Sequence, residues 1–236
     1  MDTLYVVIPA YNEKENIEAC ITDWYEVVSR HSAEGKSRLV VIDDGSKDNT
    51  YEIMKACAED KPLMVALTKE NGGHGDTVLF GYRYAIENHA DYIFQTDSDG
   101  QTSPEEFEQF WEMREEYDAV IGERPVRGDG AGRKFVEDVV CLLLRIIFGV
   151  STKDANAPFR LMKREKLQKY VEKLPKDFYI PNIMLTTYYL YYKDTLKFVD
   201  ITFKPREKGN NSINVKKIIK IGIKSVFEFG KLKKEM

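Results

Sequence analysis

The sequence predicts an α/β fold, a doubly wound and mostly parallel sheet with flanking helices. Three observations predict it. Short apolar segments alternate with helix-length segments over the first hundred residues. The short segments are apolar at successive positions, as strands covered on both faces are. Successive strand–helix units cross over right-handedly, which places helices on both sides of the sheet.

The first strand is expected from Leu4 to Ile8, followed by a helix from about Lys14 to Arg30. A second strand, Leu39 to Ile42, leads to a helix from about Asn49 to Glu59. A third, Leu63 to Leu67, leads to a helix from about Gly75 to Asn88, and Tyr92 to Thr96 is the fourth strand. Ser103-Pro104-Glu105-Glu106 reads as a helix start. Ser103 is placed to cap, Pro104 suits the first turn, and Glu106 stands where a capping box puts its acid. That helix is expected to reach about Glu116, with a fifth strand from Ala119 to Gly122. Beyond it, Arg124 to Arg133 is Gly-rich and charged, and is expected to be a mobile loop. An apolar helix from Phe135 to Phe148, a short strand from Arg160 to Lys163, a helix from Arg164, an aromatic helix from Ile183 to Tyr192 and a last strand from Lys197 to Phe203 complete the pattern.

The 236 residues are 43% hydrophobic and 31% charged, the composition of a globular chain rather than a disordered one. Cys20, Cys57 and Cys141 are odd in number and form no CxxC pair, which excludes a disulfide framework and a zinc site and fits a reducing cytosol. Met1-Asp2-Thr3 lacks the basic start of a signal peptide. The longest apolar run, Val139 to Val150, is broken by Arg145 and falls short of the roughly 18 residues of a membrane span. The net charge of −4 hides an asymmetry, because ten Lys or Arg and three Glu follow from Lys204 onward. A basic end on an acidic body points to an anionic surface or a phosphate partner. No nucleic-acid partner is expected.

Candidate functional residues gather where the strands end, the side on which open α/β sheets bind ligands. The fourth strand runs into Asp97-Ser98-Asp99-Gly100-Gln101. Carboxylates two apart in extended chain face the same way, and a hard divalent cation takes such oxygens while leaving other positions to water and phosphate. The first strand ends in Pro9-Ala10-Tyr11-Asn12-Glu13, which excludes the Gly-x-Gly-x-x-Gly dinucleotide fingerprint. The second ends in Asp43-Asp44-Gly45-Ser46, and Asn71-Gly72-Gly73-His74-Gly75 opens the third helix. His74, taken alone, reads as a structural hydrogen-bonder.

In these motifs the chain resembles the family 2 glycosyltransferases, which use nucleotide-sugar donors on a GT-A fold. Within them it is most similar to the dolichyl-phosphate mannosyltransferase group, which passes a sugar to a polyprenyl phosphate. The resemblance covers residues 4 to about 212 and includes Asp154 through Phe159-Arg160. It implies an inverting, metal-dependent enzyme with a nucleotide-sugar half at 1–101 and an acceptor half at 102–212. Pro9, Tyr11, Glu13, Asp43 and Asp44 would hold the base and ribose of a UDP- or GDP-linked donor. Asp97 and Asp99 would hold Mg²⁺ or Mn²⁺ against the diphosphate, with Gln101 nearby. Arg124, Arg133 and Arg206 match positions that contact phosphate, a task suited to a bidentate guanidinium. A lipid phosphate is already an anionic nucleophile and needs no strong base. A sugar hydroxyl of a polysaccharide or glycolipid would need one, with Asp154 the candidate. A non-catalytic nucleotide-sugar binding protein is the reading from another class, disfavoured by two intact metal carboxylates.

The chain departs from the family at its end. Asn210 and Asn211 separate Gly209 from Ser212, and Ile213 follows where relatives carry Lys. In place of the membrane-spanning tail of many relatives, residues 213–236 read as a basic amphipathic helix. Ile218, Ile219, Ile223, Val226 and Phe227 share a broad face and Lys216, Lys217, Lys220 and Lys224 lie mostly on others. Such a helix is expected to make peripheral contact with an anionic bilayer, on the inner face of the cytoplasmic membrane.

Overall fold

The computed structural model describes residues 2–125, 131–206 and 215–236, without the side chains of residues 33, 131–135 and 215–224. Seven strands form one sheet: β1 (Leu4–Ala10), β2 (Arg38–Asp43), β3 (Met64–Thr68), β4 (Tyr92–Gln95), β5 (Ala119–Glu123), β6 (Arg160–Lys163) and β7 (Leu196–Asp200). Among the described residues eight α-helices accompany them: α1 (Ile17–Arg30), α2 (Thr50–Glu59), α3 (His74–Glu87), α4 (Phe107–Glu112), α5 (Ala131–Phe148), α6 (Arg164–Val171), α7 (Pro181–Tyr191) and α8 (Val215–Lys234). The strand order is β3-β2-β1-β4-β6-β5-β7. Only β6 runs antiparallel to its neighbours β4 and β5; the other pairs are parallel. The expected doubly wound, mostly parallel sheet is therefore present.

The strands sort their side chains by parity. Leu4, Val6 and Ile8 face one core with Leu39, Val41 and Phe94, whereas Tyr5 and Val7 face the other with Val40, Ile42 and Ile93. One core is closed by α1 and α4 through Ile21, Trp24, Phe107 and Phe110. The other is closed by α3, α5, α6, α7 and α8 through Tyr82, Leu144, Tyr170, Met184 and Phe229. The residues of α1 that are buried, Ile17, Cys20, Ile21, Trp24, Val27 and Val28, follow helical periodicity.

Two expectations change. Ser103 makes no side-chain capping bond, and Pro104–Glu106 forms a turn of 3₁₀ helix before a short α4 that ends at Glu112. The Glu106 carboxylate instead accepts the backbone N–H of Thr202 at 2.9 and 3.1 Å. A tertiary partner has taken the acid that a capping box would use. The C-terminal helix is also more closely joined to the body than a basic appendage would be. Phe229 is fully buried, Leu232 nearly so, and the Phe229 ring lies 5.9 Å from that of Phe148 on α5. Phe227 stays 72% exposed and Val226 39%, as do Val139, Leu142 and Ile146 in part on α5. Among the described residues no helix is long and apolar enough to cross a membrane.

Candidate active site

The sheet's winding reverses between β1 and β4, because β2 and β3 lie on one side of β1 and β4 on the other. That reversal opens a crevice at the carboxyl ends of these two strands. The chain after β4 is folded tightly into it. The Ser98 hydroxyl donates to the Pro9 carbonyl at 2.9 Å, and the Thr96 and Thr102 hydroxyls meet at 2.8 Å. Gly100 turns the chain with φ +73°, a conformation an L side chain rarely adopts. Gln101 donates its amide to the Lys204 carbonyl at 2.8 Å, so its side chain braces the loop to the segment after β7.

Asp97 and Asp99 both project from this loop. Asp97 Oδ1 contacts His74 Nε2 at 3.0 Å and accepts from the Gln95 amide at 3.1 Å. Burial would raise the Asp97 pKa, but the His74 charge and hydrogen bond, aided by Arg124 and Gln95, outweigh it and hold the carboxyl below its usual range. Asp99 moves the opposite way. Burial and then the Asp97 charge push its pKa up to about 6. Around His74 desolvation lowers the pKa, and Asp97, then Asp99 and Asp44, raise it by more, which favours the imidazolium.

This donor set fits a hard divalent cation. Two neighbouring carboxylates in a desolvated crevice repel each other, and a cation between them would remove the repulsion. Among the described residues no group of three or more His, Cys, Asp or Glu could hold a metal alone. The remaining positions would therefore belong to water and phosphate oxygens, as is usual for Mg²⁺.

The nucleotide-side candidates surround the tip of β1. Tyr11 is 37% exposed, so its ring is open for stacking. Asn12 takes a positive φ of 55° and accepts from the Lys47 N–H at 2.8 Å, knitting the loop after β1 to the loop after β2. Asp43 accepts from the Thr68 hydroxyl at 2.9 Å and the Ser46 N–H at 3.2 Å. Asp44 is more heavily committed. It accepts from Lys69 Nζ and from the N–H groups of Gly72 and Gly73, each at 2.9 Å. Burial would raise the Asp44 pKa, but the Gly72 hydrogen bond, Lys69 and Thr77 bring it below its usual range. Both acids thus also shape the loops in which they sit.

Three phosphate candidates are placed differently. Arg124 forms a bidentate pair with Asp154, at 2.6 and 2.9 Å, and its guanidinium lies 4.9 Å from the Phe203 ring centre. Asp154 also accepts from the Asn156 N–H at 3.2 Å. The candidate base is thus an anchor for Arg124. Arg206 reaches Glu13 at 2.6 Å, which carries the segment after β7 to the loop after β1. Arg133 lies in the first turn of backbone in α5, and its side chain lies outside the described residues, as do Gly209 and Ser212.

His74, read alone as a structural hydrogen-bonder, is an Asp97 partner. Sequence reasoning passed over two other residues of this site. Gln95 was a polar residue in an apolar strand, two before Asp97 and so on the same face. Lys69, which bridges Asp44 at 2.9 Å and Asp76 at 2.7 Å, gave no signal beyond its charge.

The family model for glycosyl transferase family 2 matches residues 5–171. The chain belongs to glycosyl transferase family 2. Within that match lie the tips of β1, β2 and β4, Arg124 and Asp154; Arg206 follows it. This glycosyltransferase-family chain is 26% identical over 220 residues to the undecaprenyl-phosphate 4-deoxy-4-formamido-L-arabinose transferase of Pectobacterium atrosepticum, covering 92% of this chain and 64% of that relative. It is 29% identical over 189 residues to the enzyme of the same name from Shewanella sediminis, covering 77% and 54%. The chain therefore spans less than two thirds of the length of either relative. In fold it is similar to glucosyl-3-phosphoglycerate synthase from Mycobacterium tuberculosis, solved with Mn²⁺, UDP-glucose and phosphoglyceric acid. The TM-score is 0.69 at 20% identity, over 98% of this chain and 80% of that one. S. aureus TarS, solved with UDP-GlcNAc, gives a TM-score of 0.60 at 18% identity over 90% and 62%. These likenesses agree with the GT-A-type sheet.

Proposed function

We propose that this family 2 glycosyltransferase moves a sugar, with inversion, from a UDP- or GDP-linked donor to a polyprenyl phosphate at the inner face of the cytoplasmic membrane. The observation that carries the reading is the Asp97–Asp99 pair at the reversal point of the sheet, two carboxylates on one loop, with the Asp99 pKa pushed up to about 6 by burial and then by the Asp97 charge. Such a pair suits a divalent cation bound together with a diphosphate.

Mg²⁺ or Mn²⁺ there would neutralise charge developing on the departing nucleotide. The protein's own residues do the rest. Tyr11 offers a ring face to the base, and Pro9, Glu13, Asp43 and Asp44 line the base and ribose site. Asp97 and Asp99 orient the diphosphate. Arg124, Arg133 and Arg206 are the residues assigned to the phosphate groups of donor or acceptor, with Arg124 held by Asp154. The reading does not require a general base. Asp154, the residue a hydroxyl acceptor would call on, already gives both oxygens to Arg124. A phosphate acceptor needs only positioning and electrostatic help.

Membrane contact is supported by the apolar surface of α5 and α8. Leu142 is 56% exposed, Ile146 70% and Phe227 72%. Lys231, Lys233 and Lys234 lie in the last turn of α8. Apolar side chains beside lysines suit the surface of an anionic bilayer. Incubation with a panel of labelled UDP- and GDP-sugars, Mn²⁺ or Mg²⁺ and undecaprenyl phosphate in anionic vesicles tests the proposal. A lipid-linked sugar formed only with metal supports it, and donor consumption without lipid product argues against this acceptor.

A further inference from the structure

Behind Asp97 lies a buried row of polar side chains that neither the donor nor the acceptor site uses. Tyr82 on α3 donates its hydroxyl to Asn182 Oδ1 at 3.0 Å. Asn182, in the first turn of α7, donates Nδ2 to Gln95 Oε1 at 2.9 Å. Gln95, the last residue of β4, donates Nε2 to Asp97 Oδ1 at 3.1 Å. Gln95 is fully buried, Tyr82 likewise, and Asn182 is 3% exposed.

The direction of this row follows from chemistry at its end. An ionised carboxylate only accepts, so Gln95 must turn its NH₂ toward Asp97 and its oxygen away. That oxygen needs a donor, which turns the Asn182 amide the same way and leaves Asn182 Oδ1 to the tyrosine hydroxyl. Burial raises the Tyr82 pKa, so the hydroxyl stays a donor. Every link donates toward Asp97, and hydrogen bonds aligned in this way polarise one another.

A positive charge stands at the back of the row. Arg160 is fully buried, and among the described residues no carboxylate lies within ion-pair distance of it. It donates to the Ala157 carbonyl at 2.9 and 2.5 Å and to the Asn182 carbonyl at 3.1 Å. Carbonyl oxygens hold the guanidinium at contact, and Asp154 is the carboxylate whose charge reaches it at longer range. The side chain of Asp97 is thus held at one oxygen, Oδ1, by Gln95 from inside and His74 from outside. Oδ2 carries no hydrogen bond among the described residues.

We propose that Gln95, oriented by Asn182 and Tyr82, is a positioning residue that holds Asp97 by Oδ1 and so presents Oδ2 to the divalent cation. The inference rests on the proposed role of Asp97 in metal binding. Outer partners of this kind typically contribute 10- to 100-fold in metal affinity.

Calorimetry of UDP or GDP binding, with and without Mn²⁺, tests it on the full chain, alongside the Mn²⁺ electron paramagnetic resonance spectrum and thermal melting. Gln95→Met keeps the side chain's length and removes the amide. It should lose about tenfold in Mn²⁺-dependent nucleotide affinity, alter the Mn²⁺ spectrum, and leave metal-free nucleotide binding unchanged. Tyr82→Phe removes only the outermost donor and should show a smaller loss of the same kind, which keeps the test decisive if Gln95→Met folds poorly. Ile21→Ala, a core change on α1 in the opposite core, should lower the melting temperature without changing the Mn²⁺ effect. Wild-type metal dependence retained in full by both Gln95→Met and Tyr82→Phe would overturn the positioning role alone. A wild-type protein whose nucleotide binding ignores Mn²⁺ would overturn the metal site and the positioning role together.

Discussion

Arg206 and Glu13 are 193 residues apart in sequence, and their side chains meet at 2.6 Å. The pair joins the segment after β7 to the loop that ends β1, so the two ends of the described sheet region are tied together at the crevice. Arg206 also helps to offset the charge around Asp99. The Arg206→Ala change leaves a nearly buried Glu13 without this donor. It should destabilise the fold by about 2 kcal/mol and weaken diphosphate binding. Urea unfolding and nucleotide calorimetry measure the two effects; normal values for both would separate Arg206 from the site.

Metal binding should depend on pH with a definite sign. In the metal-free protein the Asp99 pKa is pushed up to about 6, against the ordinary 3.8 of an aspartate. The folded state then binds more protons than the unfolded one between these values, so this group's contribution to stability falls as pH rises through that window. A cation replaces the proton and restores it. The melting-temperature gain from Mn²⁺ should therefore be larger at about pH 7.5 than at about pH 5. Asp99→Asn should flatten the difference, and equal gains for wild type at both values would contradict the assignment.

Arg124 and Asp154 are both nearly buried and bound through two hydrogen bonds. Removing one partner strands the other's charge, at a cost of about 3 kcal/mol. Arg124→Ala should therefore lower stability as well as turnover. The double variant with Asp154→Ala should cost less than the sum of the single changes, as a double-mutant cycle in denaturant would read.

The first turn of α3 lies so close to the chain at Tyr179 that a Cβ on Gly75 would overlap the Tyr179 backbone carbonyl. Gly75→Ala should push the start of α3, and His74 with it, away from Asp97. A stability loss of about 1–3 kcal/mol with weaker Mn²⁺-dependent nucleotide binding is expected. Denaturant unfolding and calorimetry check it, and a stability loss with unchanged Mn²⁺ dependence would uncouple His74 from the metal acids.

Much of this site was legible because its chemistry sits at strand ends. An apolar strand that stops in Asp-Ser-Asp-Gly announces both the strand and the crevice, and Asp97 and Asp99 are where that pattern put them. Pro9 to Glu13 and Asp43-Asp44 follow from the same rule. Residues whose role depends on distant partners were not legible. Gln95 gains its meaning from Asn182, 87 residues away, and Glu106 was read as a capping acid because Thr202 was not yet beside it. Asp154 was named only as a base candidate for a hydroxyl acceptor, and its pairing through both oxygens with Arg124, 30 residues away, was not visible in the sequence. Periodicity found the amphipathic character of the last helix, but not that Phe229 and Leu232 would enter the core while Phe227 stayed outside.

That division of α8 changes how membrane contact is best probed. Deleting the helix would remove core residues, whereas Phe227→Ser and Ile146→Ser alter exposed positions and should shift stability by less than about 0.5 kcal/mol. Together they should reduce co-sedimentation with anionic vesicles severalfold at unchanged nucleotide affinity. Retained vesicle binding by the double variant would remove this face from the membrane account.

The central claim is sugar transfer to a lipid phosphate, and one measurement meets it directly. Wild-type protein and Asp99→Ala are incubated with a labelled donor that the protein binds, Mn²⁺, and vesicles containing undecaprenyl phosphate, and the organic phase is counted. The account predicts a labelled lipid that requires metal and is lost in Asp99→Ala while that variant remains folded. Label that stays in the aqueous phase with wild-type protein, or appears equally with Asp99→Ala, would contradict it.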